Sequence, residues 1–97
     1  MKSLFILSKS PFMYPETAST LKLVSRGDAI LLIHDAVVIL KHAPQHLWET
    51  LESLAGKEVH LYALEEDCEA RGIESNVPKV TYDDFIDLII DFDRVVH

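Results

Sequence analysis

The sequence predicts one compact three-layer α/β domain, a mostly parallel sheet flanked by helices on its faces. Three observations lead there. Short apolar runs alternate with stretches of helical periodicity, the pattern of repeated βα units. The run Ala29-Ile30-Leu31-Leu32-Ile33 is apolar on both faces, as a central parallel strand is. A chain of 97 residues is enough for one domain and not for two, so 1–97 is read as a single unit without linker, repeat or low-complexity segment.

Leu4-Phe5-Ile6-Leu7 reads as a first buried strand, broken by Ser10-Pro11 and Pro15. Ala18, Leu21 and Val24 fall at helical spacing and predict a helix over 17–25. Glu16 and Arg26 sit at the ends a helix dipole prefers, and Gly27 is placed as a C-terminal cap. The second strand covers 29–33. Ala36-Val37-Val38-Ile39-Leu40 is ambiguous by periodicity; the reading is a short buried helix capped by Asp35, because a third adjacent strand needs a turn signal. Pro44 opens the next helix, with Leu47, Trp48, Leu51, Leu54 and Ala55 as its apolar stripe and Gly56 at its end.

Val59 to Leu64 is the third strand, followed by a short helix over 67–71 that stops at Gly72. Val77-Pro78-Lys79-Val80 is an extended edge piece. Thr81 to Asp84 makes a capping-box-like start, with Asp84 where Glu or Gln is usual. That last helix runs to about Asp91 and buries Phe85, Leu88 and Ile89, and Arg94-Val95-Val96 returns as a final strand. Repeated right-handed crossovers of this kind make the sheet largely parallel.

The formal charge is -7, with nine basic residues scattered among sixteen carboxylates. A phosphate-neutralising surface needs clustered Lys and Arg, so direct nucleic-acid binding by this chain alone is not expected. A basic protein partner is the easier inference, because opposite potentials steer association. A domain this small buries a modest share of its surface, a first hint of an oligomer. The apolar stretch Leu4 to Leu7 is too short for a signal-peptide core or a membrane helix, so the cytoplasm is the expected compartment and no membrane partner is expected.

The motifs of common chemistries are missing. There is no GxGxxG, no GxxxxGK[ST], no GxSxG and no HExxH. The strand ends offer Asp35 and Glu65-Glu66-Asp67, which repel a phosphate, and no cofactor is implied. His42 and His46 have the spacing of paired metal ligands, but Pro44 between them keeps them off one helix face, and no metal site is assigned. His34 ends a strand at the edge where α/β proteins work, though a structural role fits it as well. Asp83, Asp84, Asp87, Asp91 and Asp93 form an acidic face, either solvated or a dock for a basic partner.

The single cysteine, Cys68, excludes an internal disulfide and invites two readings. Near a helix N-terminus the dipole favours a thiolate and hence a persulfide acceptor. Yet Glu65, Glu66, Asp67 and Glu69 surround it with charge that raises a thiol pKa, which favours a small apolar residue packed under the helix. Lys9, Ser10, Phe12 and Asp35 lie at the carboxyl ends of strands, where open α/β sheets face ligands or partners. Phe12 can equally close the core.

The order of these pieces is informative. Lys9-Ser10-Pro11-Phe12 follows strand one, Gly27-Asp28 precedes strand two and Asp35-Ala36-Val37 follows it. Glu66-Asp67-Cys68-Glu69-Ala70-Arg71-Gly72 follows strand three, and Tyr82-Asp83-Asp84-Phe85-Ile86-Asp87-Leu88 comes last. In order, in length and over nearly the whole chain this resembles the DsrH/TusB family. The resemblance implies a DsrE/DsrF/DsrH-like fold and a subunit of a hetero-oligomer with DsrE/TusD-like and DsrF/TusC-like chains. Such assemblies pass persulfide sulfur to the wobble uridine of tRNA, or act in dissimilatory sulfur oxidation. The indispensable cysteine then belongs to the DsrE/TusD-like partner. The position where some family members carry their own cysteine is Thr20, and Cys68 stands where a bulky apolar residue is usual. Asp35-Ala36 replaces the family's Asp-Gly pair. The expected role is an accessory, non-catalytic subunit shaping the complex around a partner's cysteine. The alternatives are a small sulfurtransferase using Cys68, or a stand-alone homo-oligomeric binding protein.

Overall fold

The computed structural model describes residues 2–9, 21–41, 49–50, 52–54, 56–75 and 77–97. Its strands are β1 (Ser3–Leu7), β2 (Ala29–Leu32), β3 (His60–Leu64), β4 (Lys79–Val80) and β5 (Arg94–Val96). Its helices are a 3-10 helix (His34–Leu40), α1 (Glu65–Ala70) and α2 (Tyr82–Ile90). The strands form one sheet in the order β4-β3-β2-β1-β5, and every pairing is parallel.

That order fixes the layers. The steps β1 to β2, β2 to β3 and β3 to β4 all move the same way across the sheet, so right-handed crossovers put their connections on one face. The step from β4 to β5 runs back past three strands, so α2 covers the other face. The core divides accordingly. Phe5, Leu7, Ile30, Leu32 and Ala63 point to one side with Leu21, Val24, Val37, Ile39, Leu54, Cys68 and Ile73. Leu4, Ile6, Ala29 and Leu31 point to the other, against Phe85, Leu88, Ile89 and Phe92. Register keeps each set on its face: Leu4 pairs with Ala29 and Phe5 with Ile30. The predicted three-layer α/β domain is the observed one.

Local details differ from the sequence reading at several element ends. Ser25 is not helical, because its N–H donates to the Asp28 carboxylate at 2.9 Å. Helical backbone is described at Leu21, and Gly27 (φ 88°) turns the chain before β2 instead of capping a helix. The helix expected from Pro44 falls largely outside the described residues; 49–50 and 52–54 are helical, and Leu54 is buried. Asp35 does not cap the 3-10 helix, which follows Ile33 without a side-chain cap. The helix after β3 starts at Glu65, two residues earlier than the spacing predicts, directly from the strand. At its end Ile73 N–H reaches Cys68 C=O at 2.9 Å and Gly72 N–H reaches Glu69 C=O at 3.2 Å, a Schellman ending with Gly72 at φ 61°. At the start of α2, Thr81 Oγ1 accepts the Asp84 N–H at 3.2 Å as the capping pattern predicts. Among the described residues no helix is long and apolar enough to cross a membrane.

Candidate functional site at the carboxyl edge of the sheet

Open parallel sheets place ligands and partners outside the carboxyl ends of their strands, at the point where successive connections leave for opposite faces. Here β3 passes to α1 on one face and β4 passes to α2 on the other, so the switch lies between Leu64 and Val80. Glu66 fills it. Its Oε2 accepts the Tyr82 N–H at 3.1 Å, tying the start of α2 to α1, while Oε1 is buried without a hydrogen-bond partner among the described residues.

Beside it, the ends of β2 and β3 are joined by charge. The His34 N–H donates to Asp67 Oδ2 at 2.7 Å. Arg71, four residues on and directly past the end of α1, approaches Asp67 Oδ1 at 3.5 Å and bonds Asp35 Oδ1 at 3.0 Å. His34 occupies left-handed backbone at φ 50°, a conformation uncommon outside glycine and held here by the Asp67 carboxylate. Asp67 is buried, whereas His34 and Asp35 are exposed.

Of the residues singled out in the sequence, Asp35 and Lys9 lie at this edge. Lys9 is exposed two residues beyond β1, and Asp35 is gathered with Arg71 and Asp67. Ser10, Phe12 and Thr20 fall outside the described residues, as do His42 and His46. Cys68 points away from the edge into the core and is 1% exposed. Burial pushes its thiol above the ordinary value, with the Lys79 charge opposing. The described edge therefore presents fixed charge and an imidazole but no accessible thiol. The Asp67–Arg71 anchor escaped the sequence reading, although its four-residue spacing was a usable signal. The Glu66–Tyr82 link had no sequence signal, since its acceptor and donor are sixteen positions apart.

The opposite, amino edge is built differently. Asp28 is buried and accepts from Ser3 N–H at 2.9 Å, Ser25 N–H at 2.9 Å and Ser25 Oγ at 3.2 Å. Burial alone would raise its carboxyl, but the hydrogen bonds from Ser25 and Ser3, with Arg94 nearby, hold it below the ordinary carboxylate value. An open hollow of about 440 Å³ lies near this edge between Val24, Ser25, Arg26, Gly56, Lys57 and Glu58. Arg26 and Glu58 pair with each other there at 2.7 Å.

Comparison with known proteins agrees with this architecture. The family model described as DsrH like protein matches residues 9–95. Protein TusB of Escherichia coli O81 is 34% identical over 91 residues, 90% of this chain and 90% of that protein. Protein TusB of Salmonella dublin is 37% identical over 76 residues, 74% of this chain and 76% of that one. Among solved structures, the ychN protein from E. coli superposes with a TM-score of 0.82 at 16% identity, covering 99% of this chain and 97% of that one. Protein Tm0979 from Thermotoga maritima gives 0.63 at 25% identity, covering 92% of each.

Proposed function

The chain belongs to the DsrH/TusB family, and from that membership we propose that it is an accessory, non-catalytic subunit of a cytoplasmic sulfur-relay complex. It completes a hetero-oligomer with DsrE/TusD-like and DsrF/TusC-like chains and shapes the surroundings of a partner's persulfide cysteine. The name TusB carried by its sequence relatives favours tRNA wobble-uridine thiolation over sulfur oxidation as the process served. One observation carries the division of labour. A sulfur carrier needs an accessible thiolate, and this chain's one cysteine is 1% exposed with its thiol pushed up by burial. The carboxyl edge, with Lys9, Asp35 and the Asp67–Arg71 anchor, is then the surface that faces the partner's site; Ser10, Phe12 and Thr20 are proposed to share it.

The test is a tagged pull-down from the native host under mild conditions, weighed by native mass spectrometry. Recovery of DsrE- and DsrF-like chains in equal number establishes the relay subunit. Recovery of this chain alone as a homo-oligomer overturns it. Rapid, saturating cyanylation of native Cys68 near neutral pH would return the chemistry to this chain.

A further inference from the structure

Helix α2 is apolar over far more of its circumference than the sheet uses. At 3.6 residues per turn, Tyr82, Phe85, Ile86, Leu88, Ile89 and Ile90 span about 200° of it, where a helix covering one core face needs little more than 100°. Phe85, Leu88 and Ile89 turn to the sheet and pack on Leu4, Ile6 and Leu31. The other half stays open: Tyr82 is 52%, Ile86 59% and Ile90 74% exposed. These three residues recur every four positions and so make one continuous stripe along the helix. Asp83, Asp87 and Asp91 each follow a stripe residue by one position and form a parallel, exposed row along its outer side. No positive residue lies on the helix.

We propose that this stripe is a docking face for a different protein chain, one that presents an apolar ridge bordered by lysines and arginines. The proposal rests on the reading of the chain as a subunit and names the surface that reading leaves unassigned. An exposed apolar stripe rimmed by polar residues is the usual form of a protein interaction site. The aspartate row decides the occupant. A second copy docked face to face brings two such rows together on molecules that each carry a charge of -7, and like charges juxtaposed oppose that contact. A basic border removes the opposition and steers the encounter.

The experiment compares the wild type with Ile86→Asp/Ile90→Asp and with Asp83→Lys/Asp87→Lys/Asp91→Lys. Each tagged full-length chain is recovered from the native host, its partners are identified by mass and sequence, and the dissociation constant is measured on the purified assembly. Circular dichroism and melting temperature check the fold, which exposed positions leave intact. The expected result is a heterologous chain bound to the wild type, at least tenfold weaker binding by the Ile variant, and slower association with a flattened salt dependence in the Asp variant. A cross-linking amino acid at position 86 of the otherwise native chain then captures a lysine- or arginine-bordered apolar segment of that partner. If the wild type holds its partner and the Ile variant binds it within twofold, the docking face is wrong and the subunit reading stands. If position 86 captures this chain's own α2, the occupant is a second copy and the proposal fails. If the wild type recovers no other chain, the subunit reading fails and takes the proposal with it.

Discussion

His34 and Asp67, thirty-three positions apart, are locked together by a 2.7 Å hydrogen bond from the His34 N–H to the Asp67 carboxylate. The bond does two things at once. It satisfies a backbone donor that left-handed geometry turns away from the β2 ladder, and it fixes the start of α1 against the end of β2. Asp67 also faces Arg71, so the carboxylate that holds the backbone is itself held. The carboxyl edge owes its shape to this arrangement.

Removing either member therefore lowers stability, and by different routes. Asp67→Ala leaves the His34 N–H without its acceptor and is expected to cost about 2 kcal/mol. His34→Val puts a β-branched residue into left-handed backbone and is expected to cost about 1–2 kcal/mol, whereas His34→Gly stays within about 0.5 kcal/mol of wild type because relief of strain offsets the gain in unfolded-state freedom. Urea unfolding monitored by circular dichroism measures all three. Equal losses for Val and Gly would mean that the imidazole, not the backbone, is what matters at this position.

Gly72 makes a cleaner backbone test. It sits at φ 61° in the Schellman ending of α1, and a Cβ there would meet nothing within 4 Å. Gly72→Ala thus carries a conformational penalty with no steric one, expected at about 1 kcal/mol with an unchanged denaturant slope. A neutral substitution would show that the helix end adjusts its geometry freely.

These positions also show what the sequence discloses and what it hides. The strands were legible because Phe5, Ile30, Leu31 and their neighbours make unbroken apolar runs, which parallel strands buried on both faces require. The Thr81 cap was legible because donor and acceptor lie three residues apart. Asp35 was misplaced for the complementary reason. A carboxylate before an apolar run looks like a cap, but its partner is Arg71, 36 residues away. Nothing local in Arg94-Val95-Val96 says that β5 lands beside β1 and not beyond β4; the tertiary pairing of Leu4 with Val95 decides it. The candidate site was legible as an edge, through Lys9 and Asp35, but not as the Asp67-centred network, because folding and not spacing brings its members together.

Cys68 is expected to behave as a core residue. Cys68→Ser places a hydroxyl among Phe5, Val37, Ile39 and Ile73 and costs about 1–3 kcal/mol, while Cys68→Ala costs about 1–2 kcal/mol through a small cavity. Its thiol is raised by burial, so the folded state resists ionisation that the unfolded chain allows. That contribution is fully present below the unfolded value of about 8.5 and is lost as pH rises from there toward the higher folded value. Unfolding free energy should then decline on the alkaline side more steeply in wild type than in Cys68→Ala. Parallel curves would place the thiol in contact with solvent.

Asp28 gives the opposite pH dependence. It ties the starts of β1 and β2 together through Ser3 and Ser25, and its carboxyl lies below the ordinary value because those hydrogen bonds outweigh its burial. A depressed carboxylate stabilises the fold above the unfolded value of about 3.9 and loses that contribution as pH falls through the folded value. Asp28→Asn turns one acceptor oxygen into a donor facing an N–H, and should cost about 2 kcal/mol at neutral pH. As pH falls through that depressed folded value the wild-type carboxylate takes up a proton and loses the same acceptor, so the two proteins converge. Denaturant titrations from pH 7 down into the acid range read the gap directly. A gap that stays constant across that range would show that Asp28 acts through its shape and not through its charge.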